Sequence, residues 1–210
     1  MRPSYRTLRG EGVAEYEEKR SRFIGAARPA ASENEALAFL GEVRQRHKDM
    51  SHHVYAYLCG ENGYVKRCSD AGEPRGTAGA PVLEVIEKSG LSDVVIVVTR
   101  YYGGVNLGAA GLIRAYGKTA SLAVGTAGIV EKTLARRLIF LVEYALFNIV
   151  RNYIDKTGYP ITHIVYGTDI ELTVIAPYAE VDALCGRVAE LTAGAIIIEE
   201  SGDLYIDSPG

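Results

Sequence analysis

Residues 93–119 read DVVIVVTRYYGGVNLGAAGLIRAYGKT, and the first part of the chain is organised around this stretch. Val94 to Val98 is a short, unbroken β-branched run, the mark of a strand buried on both faces. At Thr99 it gives way to polar, aromatic and glycine residues. From Ala109 onward Leu112, Ile113, Tyr116, Ala120, Ala123 and Val124 recur at helical spacing, so Gly103 to Gly108 is the turn feeding a helix N-terminus. Backbone amides at such a start point at an anion.

Working outward, residues 7–19 and 21–29 (TLRGEGVAEYEEK and SRFIGAARP) predict two strands joined by a turn, with Gly10, Gly12 and Gly25 as bulges or points of close approach. Ser32 with Glu35 forms a capping box opening a helix to about Lys48, with Ala36, Leu37, Phe39, Leu40 and Val43 as its apolar stripe. Residues 51–58 and 64–68 read as a hairpin turning at 60–63. Residues 69–79, SDAGEPRGTAG, form a turn-rich segment expected outside the core. Pro81 suits the first turn of a short helix ending before Gly90.

Beyond Gly125 to Gly128 the pattern changes. Strand 138–144, helix 146–156, hairpin 161–166 with 170–175, helix 181–191 and strand 196–199 give a β-α-β-β-α-β succession like that of ferredoxin-like folds. The fold class expected is α+β, with domains at 1–133 and 134–206 and a loose tail at 207–210.

A chain of 210 residues, 48% hydrophobic and 23% charged, suits a soluble protein of one or two domains. With no long apolar span and no secretory segment in Met1 to Gly10, a cytoplasmic location without membrane contact is expected. Cys59, Cys68 and Cys185 are odd in number and lack a CxxC pair, which suits a reducing compartment. His52 and His53 with Cys59 and Cys68 fit no common zinc spacing, so neither metal nor cofactor is expected. The net charge of −3 hides an asymmetry: residues 1–137 hold 20 Lys and Arg against 15 Asp and Glu, and residues 138–210 hold 3 against 11. A basic first domain is compatible with phosphate or RNA; the acidic second faces a basic protein or is simply solvated.

Several nucleotide motifs fail on spacing. Gly117-Lys118-Thr119 resembles the end of a P-loop, but Leu112 stands where its first glycine belongs. G-x-G-x-x-G and G-x-S-x-G are both missing. Asp70 and Glu73 are paired carboxylates suited to acid–base work, with His53 as a further base. Their structural alternative is that Asp70 caps its turn, Glu73 pairs with Arg75 or Arg100, and His53 is a half-buried strand residue. Arg100, Tyr101, Tyr102 and Arg114 offer forked donors and aromatic faces beside the glycine turn, suited to phosphates and unstacked bases; core tyrosines and surface arginines are the plainer reading.

SDAGEPRGTAGAPVL at 69–83 and VVTRYYGGVNLGAAGLIRAYG at 97–117, with SRFIG at 21–25 and HHVYAY at 52–57, resemble in order the signature of the YigZ/IMPACT family. The resemblance implies a first domain similar to the second domain of ribosomal protein S5 and a second similar to domain V of elongation factor G. Both point toward RNA or the ribosome, and eukaryotic relatives regulate translation. Carried over by residue, the implied surface comprises His53, Asp70, Gly72, Glu73, Pro74, Gly76, Thr77 and Gly79 with Arg100, Tyr101, Gly103, Gly104, Leu107, Gly108, Gly111 and Arg114, to which the residue reading adds Tyr102. Ala71 and Ala110 depart from the family pattern, which usually has aspartate and glycine there. The function expected is that of a translation-associated regulator binding RNA or the ribosome; the alternatives are an enzyme for a small phosphorylated or peptide-like substrate, and a protein-interaction module.

Overall fold

The structure, a computed structural model, describes residues 1–50, 52–60 and 65–208. The chain forms two compact units, Met1–Glu131 and Lys132–Gly210. Each is mixed α and β, built on an antiparallel sheet.

The first unit opens with β1 (Ser4–Leu8), β2 (Gly12–Glu18) and β3 (Ser21–Pro29). The single first strand expected from residues 7–19 is thus broken at Arg9 to Glu11, where the chain changes direction. Lys19 and Arg20 both hold positive φ, 46° and 66°, the geometry of a two-residue hairpin whose twist matches its strands. Helix α1 (Glu33–Arg46) follows, with Ser32 Oγ accepting the Glu35 amide at 3.3 Å. The Glu35 carboxylate reaches back to the Ala31 amide at 2.9 Å, one residue before the capping-box position. Then come β4 (His53–Cys59), β5 (Val65–Ser69), α2 (Gly79–Lys88), β6 (Val94–Tyr101) and α3 (Gly108–Ala127). The turn between β4 and β5, expected at 60–63, lies largely outside the described residues, as does Ser51.

The sheet order is β2-β3-β6-β4-β5. β6 is central, and Val94 to Val98 are fully buried, as the apolar run requires. Its pleat sorts the core: Val94, Ile96 and Val98 pack with α2 and α3, whereas Val95 and Val97 pack with α1. Glycines bring α3 close to the sheet, since a Cβ on Gly12 would lie 2.2 Å from the Ala127 nitrogen and one on Gly25 2.9 Å from Thr119 Cγ2. Leu37 and Ile113, placed in apolar stripes by periodicity, are exposed. Each sits at the edge of its stripe, where the helix face turns to solvent. α3 also runs through Gly125, so the expected break there is absent, and Gly128 ends the helix instead.

The second unit comprises most of β7 (Ile129–Val142), then α4 (Tyr144–Thr157), β8 (Ile161–Tyr166), β9 (Ile170–Pro177), α5 (Val181–Leu191) and β10 (Ile196–Asp207). β8 pairs β9, β9 pairs β7 and β7 pairs β10, all antiparallel. The core lies on the helix side: Leu138, Phe140 and Val142 of β7 meet Phe147, Val150 and Ile154 of α4. β10 is three times the length read from its apolar residues. Beyond a register shift at Glu200 to Asp203 it continues through polar residues that periodicity does not mark. Arg136 holds Asp203 at 2.7 Å, and Lys132 pairs with Asp207, so Asp207 is strand rather than tail; Pro209 and Gly210 lie outside the described residues. No helix among the described residues is long and apolar enough to cross a membrane.

Candidate functional site

The site is assembled where β6 ends. Arg100 continues the side of the strand taken by Ile96 and Val98, so its guanidinium enters the α2/α3 face. There Nη1 donates to Glu73 Oε1 at 2.9 Å and Oε2 at 3.2 Å, and Nη2 to Ser21 Oγ at 3.2 Å. The Arg100 and Glu73 side chains are only 8% and 5% exposed. A charge pair so far from water depends on its remaining hydrogen-bonding groups; most are met, while the buried Arg100 Nε has no hydrogen-bond partner among the described residues. Tyr116, fully buried on α3, donates its phenol to Glu73 Oε1 at 2.7 Å, and Ser21 Oγ also accepts the Gly103 amide at 3.3 Å. Burial, then the Glu73 carboxylate, push the Tyr116 phenol far up. Arg100 is therefore an internal tie between β3, β6, the 70–79 loop and α3, and not the surface phosphate donor expected from its sequence position. Its guanidinium carbon lies 5.2 Å from the centre of the Tyr102 ring, and that ring is 64% exposed.

Asp70 organises the loop that carries Glu73. Its carboxylate accepts amides of Gly76 at 2.8 Å, Ala78 at 3.1 Å and Gly79 at 2.8 Å. It thereby caps α2 from eight residues away, since Ala78 at the cap position supplies no side-chain acceptor. Burial pushes this carboxyl up, but the three amides outweigh it and hold it below its usual range. Thr77 Oγ1 donates to the Pro74 carbonyl at 2.7 Å, and His52 Nδ1 to that of Ala71 at 2.7 Å. Thr77, Ala78 and Gly79 are buried. The C-terminal third of a segment expected to lie outside the core is thus inside it, because a Cβ on Gly79 would lie 2.7 Å from the Ser69 backbone. Gly72, Pro74, Arg75 and Gly76 remain exposed.

His53 stands elsewhere. It is opposite Thr99 in the β4–β6 register and bonds Thr99 Oγ1 at 3.0 Å, on the α1 side of the sheet. Burial first, then Arg44, lower its pKa. The acid–base set of His53, Asp70 and Glu73 is therefore divided by the sheet and does not converge. Tyr101 is divided from Arg100 in the same way: its hydroxyl meets His47 Nδ1 at 2.8 Å beside α1.

The glycine turn is open at its tip and filled at its root. A Cβ on Gly103 would fall 2.0 Å from the Arg20 carbonyl oxygen, so the chain's own hairpin occupies the space expected for a ligand. Gly104 and Gly108, with φ of 79° and 69°, face open space. Leu107 and Gly111 are buried against each other, while Ala109, Ala110 and Arg114 are exposed. At the α3 start, Asn106 Oδ1 accepts the Gly108 amide at 3.0 Å, Leu107 gives no side-chain cap, and the first turn carries no acid. Among the described residues no three His, Cys, Asp or Glu side chains gather as a metal would need.

The sequence reading missed Ser21 and Tyr116 as parts of this network. Tyr116 was legible only as a stripe residue beside Leu112, and Ser21 only as the first letter of SRFIG.

Residues 19–124 match the model of the Impact N-terminal domain, and residues 141–195 that of a domain of unknown function (DUF1949). The chain belongs to the IMPACT family. Among its relatives in the IMPACT family, member YvyE of Bacillus subtilis is 36% identical over 99% of this chain and 95% of its own. Member YigZ of Escherichia coli is 32% identical over 85% of this chain and 88% of its own. Protein IMPACT of Bos taurus is 32% identical, but over 43% of this chain and 30% of its own. A crystal structure described as that of a hypothetical protein, 29% identical, covers 94% of this chain and 97% of that one with a TM-score of 0.63. The Impact N-terminal match contains every residue of the buried network, from Ser21 to Tyr116.

Proposed function

We propose that this IMPACT-family chain is a cytoplasmic, translation-associated regulator whose first unit binds single-stranded RNA segments, free or on the ribosome. The observation that carries this reading is the pairing of an exposed aromatic ring with an open helix start. Tyr102 is 64% exposed and lies over the Arg100 guanidinium, a ring braced from behind on which an unstacked base can lie. Close by in sequence, the uncapped amides of Ala109 and Ala110, with no acid in the first turn, suit a phosphate. Arg114 is exposed on the same helix. The proposed kinship of the first unit with the second domain of ribosomal protein S5, and of the second with domain V of elongation factor G, points the same way. The β-α-β-β-α-β succession is compatible with the latter.

The enzyme reading is supported less well, since Asp70 is committed to three amides, Glu73 to Arg100 and Tyr116, and His53 to the other side of the sheet. The test is filter binding of a labelled oligonucleotide RNA at two salt concentrations. Salt-sensitive binding that weakens about tenfold in Tyr102→Ala, at ~1–3 kcal/mol per stacked base, and with a shallower salt slope in Arg114→Ala, supports the proposal. Binding that is absent, or indifferent to both substitutions, ends it.

A further inference from the structure

The sheet of the second unit has two faces, and its core occupies one. On the other, the strand register sets Val165, Glu171, Leu141 and Ile197 in one row across β8, β9, β7 and β10. The next row is His163, Thr173, Ile139 and Glu199, in which Thr173 is buried, so the open part of this face is its end at the first row. Ile197 and Val165 are 60% and 54% exposed, large values for aliphatic residues in ordered strands. The first row spans three strand spacings of about 4.8 Å, or ~14 Å, which matches about ten residues of helix at ~1.5 Å each.

The charge around this stripe has one sign at its end. A hollow of about 260 Å³ beside Leu141 and Ile197 carries Glu143 and Asp169 on its rim. Glu171 lies within the apolar row and Glu199 beside Ile139. Among the described residues none of these four carboxylates has an ion-pair partner, in contrast to Glu200 and Asp203, both held by Arg136. An apolar stripe edged with unpaired carboxylates repels phosphate and suits a basic amphipathic segment.

We infer that the open end of this sheet face is a docking surface for a basic amphipathic helix of a protein partner, its apolar side on Leu141, Val165 and Ile197 and its cations toward Glu143, Asp169 and Glu171. The surface does not depend on the RNA reading, and its failure would leave that reading in place.

The test uses the full chain and a fluorescein-labelled synthetic peptide of repeating Leu-Lys-Lys-Leu units, about three helical turns long. A peptide of the same composition with its apolar side scrambled is the comparison. Anisotropy titrations are expected to show tighter binding of the ordered peptide, weakened about tenfold by Ile197→Lys or Glu171→Lys. Amide shifts in NMR are expected along β8, β9 and the start of β10. Equal affinity for the scrambled peptide, indifference to both substitutions, or shifts centred on α4 and α5 would overturn the inference. So would a dimer of this chain abolished by Val165→Lys, which assigns the face to a second copy, or an RNA footprint on these strands.

Discussion

Arg100 and Tyr101 are neighbours in sequence and lie on opposite faces of one sheet: Arg100 reaches Glu73 at 2.9 Å among α2 and α3, and Tyr101 reaches His47 at 2.8 Å beside α1. The two-residue period of the strand splits a motif that reads as one cluster of donors and aromatics. Tyr102, beyond the end of β6, is the member of the trio left facing solvent.

Removing either end of the Arg100–Glu73 pair leaves a buried charge without its partner, which typically costs about 3–5 kcal/mol. Glu73→Gln and Arg100→Met are each expected to lower the urea midpoint strongly. The double substitution should cost clearly less than the two losses added, the mark of coupled residues. Additive losses would mean the pair is not the source of the effect.

Asp70 gives an acid-sensitive contribution. Its folded pKa lies below the unfolded value, so its stabilisation is fully present above about pH 4 and is lost as pH falls through the folded value. Asp70→Asn is expected to cost about 1–2 kcal/mol at neutral pH by weakening the cap on α2. Its stability should also decline less than the parent's on acidification, read by denaturant titration at several pH values.

Gly103 and Gly104 are adjacent yet constrained differently. Gly103→Ala drives a methyl into the Arg20 carbonyl, with 2.0 Å separating the atoms unless the backbone moves, and it should displace the β2–β3 turn or prevent folding. Gly104→Ala meets open space but keeps a positive φ, so a loss of about 1 kcal/mol is expected. Thermal melts of the two variants separate these cases, and comparable melting points would contradict them.

His53 and His47 both have pKa values held below the usual imidazole range, by burial first and then by Arg44 for His53 and by Arg22 and Arg46 for His47. The unfolded chain takes up these protons first, so the stability they confer is present above about pH 6.5 and declines as pH falls through the folded values. The unfolding midpoint should drop between about pH 7 and pH 5, and His53→Gln should flatten that drop.

Much of the architecture was legible because it rests on local rules. The Val94 to Val98 run announced a central strand, Ser32 with Glu35 announced α1, and the spacing of Leu112, Tyr116 and Ala120 announced α3. The site was less legible because its residues act at a distance. Nothing near Asp70 in sequence says that it caps a helix beginning at Gly79, and Glu73 offered Arg75 as readily as Arg100 as a partner. Nor does local pattern reveal that Gly103 is small for the sake of Arg20, 83 residues earlier by numbering. Strand ends show the same limit: β10 continues past its apolar residues because Arg136 and Lys132 hold its acidic ones.

The Tyr116 phenol, donated to Glu73 within the buried network, is also an optical probe. The chain has 14 tyrosines and no tryptophan, so its ultraviolet emission and near-ultraviolet dichroism are tyrosine signals with no stronger fluorophore to mask them. Tyr116 is rigid, held edge-on to Phe23 with ring centres 5.2 Å apart, and bonded to a carboxylate. Subtracting the spectrum of Tyr116→Phe from that of the parent therefore isolates one reporter, wired through Glu73 and Arg100 to the ring of Tyr102, with which occupancy of the loop can be followed without a label.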